Sequence, residues 1–108
     1  MKHYVVLVTS PNAKRSERLS KGLVEGKLAA CVNRIPSITS RYWWKGKIET
    51  GREELLIIKT NQTRLRALMK WFKANHPYEV CEVLALPISQ GNSDYLQWID
   101  RSLNSIKS

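Results

Sequence analysis

The chain is short of cysteine, of acidic residues and of long apolar runs, and each shortage excludes something. Its two cysteines, Cys31 and Cys81, are too few for a disulfide scaffold and form no C-x-x-C pair. They are expected as reduced thiols, small hydrophobes at the starts of strands. No segment approaches the ~20 consecutive apolar residues of a membrane-spanning helix. The apolar start Tyr4–Val8 is too short for a signal peptide and has no small-residue cleavage site, so it reads as a first strand and the expected location is cytoplasmic. Nine acidic residues against 18 basic ones leave a net charge of +9. No run of five like charges occurs. Lys14, Arg15, Arg18 and Lys21, and then Arg64, Arg66, Lys70 and Lys73, read as solvated faces of two helices, with an anionic partner such as nucleic acid or acidic lipid as the alternative. Catalytic signatures are missing as well: there is no G-x-S-x-G, no H-E-x-x-H and no P-loop, so no enzyme is expected. Repeats, linkers and low-complexity tracts are absent, and residues 1–108 read as one domain.

What is present alternates between strand and helix patterns. Tyr4–Thr9 is almost wholly apolar, as a central strand requires. Ser10-Pro11-Asn12 breaks it and opens a helix with Ala13, Ser16, Leu19, Ser20, Leu23 and Val24 at helical spacing, stopped at Gly26. Gln62–Asn75 carries the stripe Leu65, Leu68, Met69, Phe72 and ends at His76-Pro77, because a residue before proline avoids the α region. Val80–Leu86 reads as a strand. Gly91-Asn92-Ser93 caps a last helix with Tyr95, Trp98, Ile99, Leu103 and Ile106 on its apolar face.

Between the first two helices lie the arms Cys31–Trp44 and Lys47–Thr60, joined by Lys45-Gly46. A two-residue X-Gly link between β-rich runs predicts a tight hairpin, with Trp43 facing Ile48 and Tyr42 facing Glu49. Such an arm reaches ~46 Å at about 3.3 Å per residue. A compact domain of this length has a radius of gyration near only ~13 Å. The hairpin must therefore bend or project, and its apolar tip Tyr42-Trp43-Trp44 needs a cover. Pro36 cannot donate a ladder hydrogen bond, so the first arm is an edge strand or bulged there. The order β-α-β-β-α-β-α is the ferredoxin-like split βαβ pattern with an extra C-terminal helix and a long second hairpin, an α+β fold. Strands one and three are then central and strands two and four are edges open to pairing. A homo-oligomer built by strand addition is expected.

Three blocks carry a family resemblance. They are Leu28-Ala29-Ala30-Cys31-Val32-Asn33, Tyr42-Trp43-Trp44-Lys45-Gly46-Lys47-Ile48-Glu49, and His76-Pro77-Tyr78-Glu79-Val80 followed by Ala85-Leu86-Pro87-Ile88 and Gly91–Trp98. In this order, over about Tyr4 to Ile99, the chain resembles the CutA family of divalent-cation tolerance proteins. The resemblance implies a ferredoxin-like fold similar to the PII signalling proteins, a tight homotrimer and a role in tolerance to copper and other divalent cations. It also implies metal residues at Cys31 and in the His76–Glu79 block. The alternative it leaves open is a non-enzymatic scaffold for other proteins, since animal members are linked to anchoring of acetylcholinesterase.

The candidate metal set is thus Cys31, His76 and Glu79, with Cys81 and Glu82 nearby in sequence, for weakly bound Cu²⁺ or another divalent cation. No spacing matches a structural zinc site. The plain alternatives are a helix-terminal charge for His76 and an ion pair with Lys59 or an arginine for Glu79. Tyr42, Trp44, Lys59, Tyr78 and Trp98 are the candidate ligand cleft, with aromatic walls and a lysine for a small anion between subunits. Their alternative is to glue the trimer. Specific RNA binding is not expected, because the third strand, Lys47–Lys59, has no aromatic residue to stack a base.

Overall fold

Asparagine side chains start each helix among the described residues. Asn12 Oδ1 accepts from the Arg15 amide at 2.9 Å, Asn61 Oδ1 from Thr63 and Arg64, and Asn92 Oδ1 from Asp94 and Tyr95. Each satisfies amides that the first helical turn leaves without partners. The computed structural model describes residues 1–104, so Ile106 lies outside the described residues. Its elements are β1 (His3–Ser10), α1 (Ala13–Glu25), β2 (Cys31–Trp44), β3 (Lys47–Asn61), α2 (Gln62–Asn75), β4 (Val83–Pro87) and α3 (Ser93–Asn104). The expected order holds throughout. The four strands form one antiparallel sheet in the order β2-β3-β1-β4, with β3 and β1 central and β2 and β4 at the edges.

α1 ends as its sequence predicts, by a slightly different device. Gly26 is the C-cap but keeps φ at −82°; Lys27 takes the left-handed conformation at φ +60°. The Lys27 amide bonds Val24 O and the Leu28 amide bonds Leu23 O, the paired bonds of a Schellman stop.

The hairpin has the predicted turn and register. Lys45 and Gly46 both have positive φ, +51° and +80°, as a type I′ turn demands. Trp43 pairs with Ile48 and Tyr42 with Glu49. The irregularity expected at Pro36 is present. Ile35 pairs with Leu55 but Ile38 with Glu53, so Pro36 and Ser37 stand against Glu54 alone, and Ser37 takes φ +61° to absorb the extra residue.

One expected strand begins late. β4 starts at Val83 rather than Val80. Residues 76–82 are held off the sheet, because the Tyr78 amide bonds His76 Nδ1 at 3.1 Å and the Tyr78 hydroxyl donates to Glu53 at 2.6 Å.

Strand alternation gives the sheet two unlike faces. Val6, Val8, Leu56 and Ile58 point to α1 and α2 and pack with Leu19, Leu23, Leu68 and Phe72 in a fully enclosed core. Burial of such side chains contributes about 1.5–3 kcal/mol each. The opposite face carries Leu7, Leu55, Ile57 and, on the edges, Ile35, Leu84 and Leu86. α3 covers only one end of it, where Asp100 accepts from Asn61 Nδ2 at 2.9 Å and meets His3 Nε2 at 3.0 Å. Leu84 and Leu86 remain 53% and 46% exposed. The hairpin reaches past the body, and the molecule measures 46 × 28 × 22 Å with a radius of gyration of 14.6 Å.

Candidate functional site

Where the hairpin leaves the body it forms one wall of a groove, and residues 78–82 form the other. The groove has a volume of about 610 Å³. Tyr42, Trp43 and Trp44 line the hairpin side, and Tyr78, Glu79 and Glu82 the loop side, with Glu53 and Thr9 at the floor. Burial, and then the hydrogen bond to Glu53, push the Tyr78 phenol well above its usual range, so it stays a donor to that carboxylate. The walls are aromatic, and three carboxylates face Arg41 as the one cation.

His76 lies behind this groove as a strut. Its Nε2 bonds the Thr9 carbonyl at 2.7 Å, and its Nδ1 accepts from the Tyr78 amide at 3.1 Å. A carbonyl requires N–H at Nε2, and an amide requires the lone pair at Nδ1. Both ring nitrogens are therefore committed, and the ring packs between Phe72 and Tyr78, with centroids 6.1 and 4.9 Å away.

The sequence-derived residues fall into two separate clusters. Tyr42, Trp44, Tyr78 and Glu79 come together in the groove. Cys31, Lys59 and Trp98 lie at the other end of the sheet. Cys31 pairs with Lys59 across the ladder, and Lys59 Nζ reaches Cys31 Sγ at 4.0 Å and also bonds Asn33 Oδ1. Burial and the neighbouring Cys31 raise the Tyr95 phenol, and Tyr95 stacks on Trp98 at 5.4 Å. Lys59 stands opposite Val5, whereas His76 binds at Thr9, so the clusters are four residues apart along β1, about 13 Å.

Cys31, His76 and Glu79 accordingly do not meet within one chain. Among the described residues no three His, Cys, Asp or Glu side chains stand close enough to hold an ion. With both nitrogens of His76 occupied, the donors of a single chain do not fit a preformed divalent-cation site. Lys59 is bound to Asn33 rather than to Glu79. Sequence reasoning missed Glu53, which lines the groove and whose one signal is its place beside the bulge, opposite Ile38. It also missed Asn33 and Tyr95, which stand beside the half-buried Cys31 thiol, and the unfinished apolar face of the sheet.

Among the described residues no helix is long and apolar enough to cross a membrane. Comparison with known proteins gives one consistent result. Residues 4–102 match the family described as CutA1 divalent ion tolerance protein. The rice protein named "Protein CutA 1, chloroplastic" (Oryza sativa subsp. japonica) is 54% identical over 98 residues, covering 91% of this chain and 55% of its own length. The "Divalent-cation tolerance protein CutA" of Pectobacterium atrosepticum is 42% identical over 99 residues, covering 92% of this chain and 90% of that protein. This chain thus spans little more than half of its rice relative and nearly all of its bacterial one. The crystal structure of CutA1 from Oryza sativa superposes with a TM-score of 0.92 at 50% identity, covering 100% of this chain and 97% of that one. Profile, sequence identity and backbone agree: the chain belongs to the CutA1 divalent ion tolerance family.

Proposed function

We propose that the protein acts without catalysis, as a homotrimer in divalent-cation tolerance, and that its hairpin groove becomes a ligand cleft only when a neighbouring subunit closes it. One observation carries this reading. Trp43 and Ile48, paired on the hairpin, are 72% and 59% exposed in a single chain. An apolar pair of that size on a projecting arm is expected to be covered.

The free edges favour a ring. Each chain offers an unpaired β2 edge and an unpaired β4 edge. Joining unlike edges head to tail closes a ring when the rotation permits, and buries Ile35, Leu84 and Leu86. The family's tolerance role supports a divalent cation, Cu²⁺ among them, as one occupant of the cleft. The groove supplies carboxylates from Glu79 and Glu82, so the remaining donors must come from a second subunit. The aromatic walls equally suit a small organic ligand. Two unpaired cysteines are in keeping with a reducing, cytoplasmic setting.

Native mass spectrometry with and without Cu²⁺ tests the proposal. Three subunits at micromolar concentration are expected, with metal taken up only by the assembly. A stable monomer at that concentration overturns it.

A further inference from the structure

The side of the molecule away from the sheet plays no part in that reading. Its charges, which look scattered in sequence, are ordered in space. Lys14, Arg18 and Lys21 stand at i, i+4 and i+7 on α1, and Arg66, Lys70 and Lys73 repeat the same spacing on α2. Each row is about 10.5 Å long at 1.5 Å per residue. All six side chains are exposed, because the apolar stripes Leu19/Leu23 and Leu68/Phe72 turn the opposite faces into the core. The Trp71 indole of α2 bridges to α1 at Gly22, where a Cβ would stand 2.8 Å from the ring. The two rows therefore share one surface.

Opposite charge is sparse on that surface. The two helices hold eight of the chain's 18 basic residues and two of its nine acidic ones, a balance of +6, and α2 has no carboxylate. Of the two acids on α1, Glu17 is close enough to Arg34 of β2 to favour its charged form, and Glu25 stands four residues beyond Lys21 at the end of the first row. The others occupy the hairpin, the groove and α3. Among the described residues none of the six ridge cations is held in an ion pair or a hydrogen bond.

We propose that the joined outer faces of α1 and α2 form a docking surface for nucleic acid, engaged through its phosphates without reading its bases. Unpaired Lys and Arg in rows are the complement of a phosphate backbone. A membrane surface fits less well, since the apolar stripes of both helices are spent in the core and, of their large apolar residues, only Val24 and Met69 stay exposed, too little to enter an acyl layer. The aromatic ring and amides nearby are already engaged: the Trp71 indole packs at Gly22, Gln62 Oε1 accepts from the Lys2 amide and Asn75 Nδ2 donates to Trp71 O.

Fluorescence anisotropy with two labelled 20-base-pair duplexes of unrelated sequence tests this. Both should bind with affinities within about threefold of each other. Log K should fall against log salt with a slope of about −3 to −5, near −0.9 for each phosphate neutralised. The triple variant Arg66→Glu, Lys70→Glu, Lys73→Glu should weaken binding at least tenfold at 50 mM salt and flatten the slope by two to three. The milder Arg66→Gln, Lys70→Gln, Lys73→Gln set should show a smaller loss of the same kind, with circular dichroism and sedimentation unchanged. No binding at 50 mM salt, binding that survives the glutamine set intact, or stronger binding to phosphatidylserine vesicles than to either duplex overturns the proposal. A tenfold preference between the two sequences overturns its claim that bases go unread.

Discussion

The two halves of β3 are one strand with two fates. From Glu54 to Thr60 every second residue is buried under α1 and α2; from Lys47 to Thr50 all are exposed. The hydrogen-bond ladder to β2 runs along both, interrupted only at the bulge. Ladder bonds are therefore not what separates them. The difference is apolar cover, which one chain supplies to the first half and cannot supply to the second. The helix-covered face of the body is finished within one chain, whereas the arm is unfinished surface.

That contrast is broken most directly by truncating one anchor in each half. Phe72→Ala removes a fully enclosed ring from the core and should cost about 3–5 kcal/mol, a large part of the stability of a domain this size. Trp43→Asp should leave the fold of the body intact by circular dichroism while abolishing self-association in sedimentation. An arm variant that unfolds as readily as the core variant would show that the body depends on the assembly too.

A second test probes how tightly the body is built. At Gly22 any β-branched side chain must push the Trp71 indole aside, so Gly22→Val should cost about 1–3 kcal/mol by chemical denaturation. Gly51 on the arm should be far less sensitive, since a Cβ there meets nothing within 4 Å.

Much of this division is legible in the sequence. The length of the arms, the X-Gly turn, the register at Trp43 and the bulge at Pro36 all follow from strand periodicity and from what proline and glycine permit. The unfinished sheet face was legible in principle, since Leu55-Leu56-Ile57-Ile58 asks for cover on both sides and only one side gets two helices. The site was less readable, because residue type does not say which lone pairs are free. His76 has a metal-binding side chain, but its nitrogens are consumed by Thr9 and Tyr78. Lys59 and Trp98 belong with Cys31 at the far end of the sheet, a separation set by ladder register rather than by composition. Val80 and Cys81 look like strand, but the hydrogen bonds of Tyr78 hold their segment off the sheet.

Where body and arm meet, pH offers a sharper measurement. Tyr78 has its phenol raised in the folded protein by burial and by Glu53. A raised pKa means that folding favours the protonated form. The resulting stability is complete below the ordinary tyrosine value near ~10 and is lost as pH rises beyond it. Glu54 is the reverse case, held below the usual carboxylate range chiefly by its hydrogen bonds with Arg34. Its contribution is present above about pH 4.3 and is lost as pH falls. Tyr78→Phe should therefore cost about 1 kcal/mol at neutral pH and weaken the alkaline decline, leaving the acid limb as it was. A variant with an unchanged alkaline limb would assign that limb to other groups.

The smallest expected effect lies at the turn, and it separates the two regions most cleanly. Lys45 adopts φ +51°, a conformation that costs an ordinary L-residue about 1–2 kcal/mol and that asparagine tolerates better. In exchange Lys45 places its ammonium 5.7 Å from the Trp44 ring, near the outer limit of a useful cation–π contact and worth about 0.5 kcal/mol at an exposed site. Lys45→Asn gives up the second term and relieves part of the first, a net gain of about 0.5 kcal/mol confined to the hairpin. Slower amide hydrogen exchange at Trp44 and Lys47 should report that gain. The thermal midpoint of a dissociated background such as Trp43→Asp should not move, because the arm unfolds separately from the core. If the midpoint rises in step with hairpin protection, the arm and the body melt as one unit, and the boundary drawn at Glu54 is not a boundary in energy.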